Sequence, residues 1–145
     1  MSREEVVVEA ITNPSPDDRA ALERLLVHLS TTQPPDEREL REIADSQSTM
    51  LLGARLHGRL VGTLSIVTFP LLTGRRAWIE DVVVEPAVRQ RGVATALVDE
   101  ALRLAQRNGC RTVDLTSRPS RVDANRLYER LGFERRETNV YRKHL

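Results

Sequence analysis

Glu80 and Asp81 are adjacent carboxylates at the head of an otherwise apolar run, Ile79 to Val84. Buried without partners they would be costly, so they lie at the wet end of a strand or do chemistry. Neighbouring strand residues face opposite ways, so only one of the two reaches any one site. Without a bulge, Glu80 shares a face with Val82 and Val84. A few residues on, Arg89, Gln90 and Arg91 precede Gly92 and a long helical pattern that opens Val93-Ala94-Thr95. That first turn holds no acid and no capping side chain. The first N–H groups of a helix need partners, and small residues beside two arginines suit a bound anion, with water as the alternative partner. Tyr128 lies on the inward stripe of a later helix, as a core residue or as a hydroxyl that acts on a ligand.

The other reactive types offer less. His28, His57 and His144 have no companions at metal-ligand or triad spacing and read as surface. Cys110 opens an apolar strand and reads as core. No metal-ligand cluster appears, and one cysteine leaves no internal disulfide framework.

The elements that must position these residues can be read in order. Glu5 to Thr12 is a first strand. Residues 16–30 form an amphipathic helix with Leu22, Leu25, Leu26 and Leu29 inward. A proline-marked loop, 31–35, leads to a helix near 37–47 with Leu40, Ile43 and Ala44 inward. Thr49–Leu56 and Leu60–Phe69 form a hairpin about His57-Gly58, and Pro70 interrupts or ends the second strand. Residues 71–76 turn into the central strand, Ile79 to Val84, with valines on both faces. The long helix spans about 93–108 and stops at Gly109. A strand at 111–116 and a helix at 121–131 follow, the latter closed by Gly132 and Phe133. Strands near 133–136 and 138–142 end the pattern. Ser15 with Asp18, Asp36 with Glu39, and Ser120 with Asp123 supply caps for the other three helices. The order predicts an α/β protein of the α+β type. Its mixed sheet has six to seven strands, with about four helices on both faces.

Length and composition bound the function. A chain of 145 residues reads as a single domain, 1–145. Residues 1–50 carry 5 basic and 11 acidic side chains, whereas residues 103–145 carry 11 and 5. A basic last third could meet a polyphosphate or nucleic acid, yet most of its arginines sit beside acids on helix faces. Interleaved aromatics are few there, so nucleic acid is not the expected partner. No apolar run is long enough to span a bilayer, and the acidic start lacks a signal core. The expectation is a soluble cytoplasmic protein with no membrane partner.

The run from Ile79 to Phe133 resembles the GCN5-related N-acetyltransferases (GNAT). Arg89-Gln-Arg-Gly-Val-Ala94 is similar to their pyrophosphate loop, R/Q-x-x-G-x-G/A, with alanine at its last position. Ala124-Asn-Arg-Leu-Tyr-Glu-Arg-Leu-Gly-Phe133 is similar to their distal helix motif. A lone glycine in the loop does not fit a dinucleotide fold, and no P-loop Gly-Lys-Ser/Thr occurs. The resemblance implies a GNAT fold over the whole chain and acetyl-CoA as co-substrate, without a metal. It implies that the backbone of Val82, Val83 and Val84 pairs with the cofactor arm. The amides of Arg89, Gln90, Arg91, Gly92, Val93, Ala94 and Thr95 would hold the pyrophosphate. Asn125 and Tyr128 would also contact the cofactor.

On the same footing the chain would move an acetyl group directly onto a primary amine. Tyr128 would protonate the leaving thiolate, and Glu80, or else Asp81, would take the amine's proton. A backbone N–H near Val83 would polarise the thioester carbonyl. The acceptor stays open: small amine, amino acid, antibiotic or protein N-terminus. The acids Asp36, Glu37, Glu39, Glu42 and Asp45 could attract a cationic amine, but read first as a solvated helix face. The acyl donor could be other than acetyl. A homodimer is compatible with the family. The alternative is a catalytically weak acetyl-CoA-binding sensor or regulatory subunit, which would need neither Tyr128 nor Glu80.

Overall fold

A computed structural model describes residues 5–145. Five strands form one sheet in sequence order: β1 (Val6–Ala10), β2 (Thr49–Leu56), β3 (Arg59–Leu71), β4 (Gly74–Val84) and β5 (Thr112–Asp114). The first four pair antiparallel. β5 runs parallel to β4 and meets it only from Arg76 to Trp78. Four helices complete the chain: α1 (Pro16–Leu26), α2 (Glu37–Asp45), α3 (Val93–Arg107) and α4 (Val122–Arg130). A single 3-10 turn, Pro86–Val88, leads into α3.

Alternation along the strands sorts the core into two layers. Leu52, Ala54, Leu64, Ile66, Ala77, Ile79 and Val84 face one way, against Val93, Leu97, Val98, Ala101 and Ala105 of α3 and Tyr128 of α4. The second layer holds Ile11, Leu51 and Leu60 against Ala21 and Leu22 of α1 and Leu40 of α2. Gly62 sets how closely α3 lies on the sheet. A Cβ there would stand 3.0 Å from Val93 Cγ1 and 3.2 Å from Leu97 Cδ1. His57 (φ 51°) and Gly58 (φ 79°) make the expected hairpin turn between β2 and β3.

Several expectations change. The sheet has five strands, not six to seven. Residues 134–145 are exposed and in no strand, Tyr141 at 88%. Ladder pairing, not side-chain propensity, makes a strand, and this segment finds no neighbour among the described residues. Pro70 does not end β3, which continues to Leu71. β2 pairs no further along β3 than Val67, so one side of β3 is free there and tolerates the missing N–H. β4 begins at Gly74, well before Ile79. Capping boxes stand at Ser15/Asp18 and Asp36/Glu39. Ser120/Asp123 does not form one: α4 starts from Arg121 without a side-chain cap. An uncapped start is therefore not peculiar to α3.

Asp18 does two jobs. Its Oδ2 accepts from the Ser15 N–H at 3.2 Å, and its carboxylate takes a two-pronged bond from Arg55 of β2, at 2.7 and 3.0 Å. Arg55 also donates to Glu9 of β1 at 2.7 Å. Asp18 is 8% exposed. Arg55 holds its carboxyl below the usual carboxylate range, against an opposing push from burial. A depressed acid stabilises the folded state above its unfolded value, and that contribution fades as pH falls towards the folded value. Asp18→Asn should therefore cost about 2 kcal/mol at pH 7. The deficit should shrink below about pH 4, as measured by chemical denaturation across pH.

Candidate active site

The site begins where two strands part. β5 ends at Asp114 while β4 runs on to Val84, so the outer edge of residues 79–84 has no strand beside it. Main-chain N–H and C=O groups on such an edge are available to a ligand. Leu115 still packs on the α3-side core, so the chain after β5 borders this gap before turning into α4.

A bulge decides which side chains meet the gap. Ser65 pairs with Glu80, and Thr63 with Val83, so Leu64 faces two residues, Asp81 and Val82. Asp81 adopts φ 54°, a left-handed conformation that aspartate tolerates. The extra residue shifts the alternation. Ile79, Val82 and Val84 all join the α3 side. Glu80 does not share their face, contrary to the bulge-free expectation. It stands on the Ser65 side with Trp78, whose indole N–H donates to Glu80 Oε1 at 2.7 Å. Val83 is 5% exposed. The two acids are surface-accessible, yet burial raises the pKa of Asp81, with the Glu80 charge adding to the effect.

The loop after β4 supplies backbone. Arg89, Gln90, Arg91 and Gly92 are exposed, and Val93, the first residue of α3, is buried. Gly92 (φ 80°) caps α3 without a side-chain bond, and Gln90 (φ 66°) is also left-handed. Ala94 and Thr95, in the first turn, are half-buried. Sharp turns of this kind, ahead of an uncapped helix with no acid in its first turn, gather amide N–H groups at the end of β4.

Tyr128 is 7% exposed and belongs to the same buried cluster as Ile79 and Val84 of β4. Phe133 meets its ring edge-on at 5.8 Å and 67°. The turn that carries Phe133 is made by the expected left-handed Gly132 and a Phe133 N–H to Tyr128 carbonyl bond of 3.0 Å. Burial raises the hydroxyl's pKa, and the positive charge of Arg121 partly offsets this. Asn125 is half-buried and donates from Nδ2 to the Arg118 carbonyl at 3.0 Å, which ties the loop after β5 to α4.

The structure thus gathers Val82, Val84 and Tyr128 on one face of β4 and puts Glu80 on the other. Four of the five acids at α2 are otherwise engaged: Asp36 and Glu39 cap the helix, Glu37 pairs with Arg19 and Asp45 with Arg41. Cys110 packs against the core, and His28, His57 and His144 are exposed. Trp78 was not legible as a site residue, because nothing in a sequence marks an indole that orients an acid two positions on. A cavity of about 280 Å³ lies elsewhere, between α1 and residues 85–87, and touches neither Glu80 nor Tyr128.

The family model described as Acetyltransferase (GNAT) family matches residues 10–133. The glucosamine 6-phosphate N-acetyltransferase of Trypanosoma brucei brucei is 36% identical over 80% of this chain and 82% of that protein. An aminoglycoside N(6')-acetyltransferase type 1 of Salmonella typhimurium is 34% identical over 46% of each chain. Among solved structures, a Trypanosoma brucei acetyltransferase superposes with a TM-score of 0.79 at 28% identity, covering 97% of this chain and all of that one.

A raised acid pKa disfavours the charged folded form, so Asp81 lowers stability once pH exceeds its unfolded value. Asp81→Asn should raise the denaturation midpoint at pH 7. Because asparagine also accepts left-handed backbone, only the pH-dependent part of the gain should vanish below about pH 4. A midpoint that is lower at pH 7 would show that the carboxylate has a stabilising partner.

Proposed function

The chain belongs to the GNAT acetyltransferase family, and from that premise we propose that residues 1–145 form one acetyl-CoA-dependent N-acetyltransferase domain acting on a primary amine. The observation that supports it most is the placing of Tyr128 in one buried cluster with Ile79 and Val84, on the part of β4 that has lost its neighbour. Both similar enzymes named above act on amines carried by sugars, so an amino sugar is the acceptor class of choice.

Bound acetyl-CoA would supply an activated acetyl thioester. The chain's own groups then have separable tasks. The free edge of Val82, Val83 and Val84 pairs with the amides of the cofactor arm. Amides from Arg89 to Thr95 hold the pyrophosphate. A backbone N–H near Val83 faces the thioester carbonyl and stabilises the charge that develops on it. Glu80 keeps one carboxylate oxygen on the Trp78 indole and has the other for the proton of the attacking amine. Asp81 turns the edge at the bulge. Tyr128, like any phenol, is protonated at neutral pH, burial raises its pKa further, and it can give its proton to the departing sulfur. Asn125 holds the loop across the gap. Much of the rate comes from fixing amine and thioester together on one rigid strand.

Release of free thiol from acetyl-CoA over glucosamine 6-phosphate, an aminoglycoside and a peptide with a free N-terminus tests the class. Turnover is expected with a sugar amine. Coenzyme A binding with no turnover on any amine would instead mark a sensor or regulatory subunit. Tyr128→Phe keeps the ring and its packing on Phe133. It should lower kcat by about 100-fold or more and change coenzyme A affinity by no more than about twofold. An unaltered kcat would remove Tyr128 from the acid role.

A further inference from the structure

The chain carries 22 lysines and arginines, and Lys143 is the single lysine among them. A guanidinium keeps its proton in proteins and is no nucleophile, whereas a lysine amine that has shed its proton is one. Apart from the α-amino group, the ε-amine of Lys143 is therefore the one primary amine the chain itself can offer to an acyl donor.

Its setting leaves that amine free to move. Residues 134–145 are exposed throughout and form no helix, strand or turn. The side-chain bond from Asn139 Nδ2 to Tyr141 Oη, at 3.5 Å, lies within the segment. Among the described residues, no main-chain hydrogen bond ties the segment to the rest of the protein.

The root of this arm lies at Tyr128. The Phe133 ring meets the Tyr128 ring edge-on at 5.8 Å, and the Phe133 N–H donates to the Tyr128 carbonyl at 3.0 Å. Lys143 stands ten residues beyond Phe133. An unrestrained tether of that length has an r.m.s. span of about 16–19 Å, and about 33 Å when fully drawn out. A thioester whose sulfur takes its proton from Tyr128 lies one side chain and one hydrogen bond from the anchor, inside that span. An amine on a tether matched to its span has an effective concentration on the order of millimolar.

We propose that Lys143 is a modification site, acetylated by the active site of its own chain. The inference rests on the N-acetyltransferase reading above. Neutral Lys143 Nζ attacks the thioester carbonyl carbon, and a C–N bond forms as the C–S bond breaks. The proton shed by the amine goes to Glu80, and the departing thiolate takes the Tyr128 proton. Glu80 then returns a proton to Tyr128 through solvent. The products are an acetylated lysine and free coenzyme A, with no change of oxidation state. The arm loses the charge between Arg142 and His144 and cannot react a second time.

The test incubates the full-length chain with acetyl-CoA and no added acceptor, and maps the product by peptide mass spectrometry. An acetyl group should appear on Lys143. At fixed acetyl-CoA, diluting the protein about 10-fold should leave the fraction labelled per unit time unchanged, as for transfer within one molecule. A fraction that falls in proportion would overturn the tethered route. Excess coenzyme A competes for the cofactor site but does not impede a spontaneous reaction, so it should slow labelling by about 10-fold or more. Labelling that it leaves undiminished would be spontaneous and would overturn the proposal. Lys143→Arg keeps the charge, should lose the label, and should leave kcat on a sugar amine within about twofold. Label on the α-amino group alone, or none on a chain that turns over a sugar amine, would also overturn the proposal. If no amine at all is acetylated, it is the N-acetyltransferase reading that falls.

Discussion

The structure turns on an interrupted pairing. A parallel strand pair holds only where both strands continue, and here β5 stops at Asp114 while β4 continues to Val84. A buried strand edge without a partner is unfavourable, because each N–H and C=O that loses water must find another group. The sheet therefore keeps a row of directed donors and acceptors in reserve at one place. The remaining elements serve to hold that place still. α3 packs through Leu97, Val98 and Ala101, none more than marginally accessible, and Gly62 lets it approach close enough to bring its first turn to the end of β4.

The bulge at Asp81 gives the freed edge its chemistry. An unbroken strand from Ile79 to Val84 would have put Glu80 with Val82 and Val84, and Ile79 on the opposite face. One extra residue reverses this. The apolar residues on both sides of the bulge share the α3 layer with Tyr128, and the acid goes to the other face with Trp78. The Glu80 carboxylate and the Tyr128 hydroxyl are thereby held on different faces of β4. Backbone geometry at a single bulge is enough to separate them.

Period and punctuation made most of the frame legible. The i, i+3, i+4, i+7 leucines of α1, the His57-Gly58 turn, the Gly109 stop and the Gly132-Phe133 closure are local signals whose physics is complete within a few residues. The candidate site residues were proposed from the same kind of signal, since motif residues sit at fixed spacings. What could not be read depended on distant partners. Strands at 133–142 have suitable side chains but no neighbour to pair with. Ser120 and Asp123 have capping spacing, but α4 begins from Arg121 instead. The bulge arises from the register of β4 on β3, which the β4 sequence alone does not encode. Ser117 is an ordinary loop serine until the structure shows its hydroxyl to be buried.

Most of these departures from local rules gather at one rim; the left-handed His57 in the β2–β3 turn is an exception. The α1 end of the molecule obeys them: capping boxes close α1 and α2, and Asp18, Arg55 and Glu9 satisfy one another. The other rim breaks them repeatedly. Asp81 and Gln90 are left-handed without being glycine, α3 and α4 start uncapped, Asp81 resists ionisation, and Ser117 Oγ has no partner. Each of these costs free energy in the unliganded chain, and each has the form of a contact awaiting a second party. A ligand that carries phosphates at one end and amides along its length would complete the uncapped amides and the strand edge together. Binding would then recover stability that folding alone leaves unrealised, so affinity and stability are linked through the same few groups.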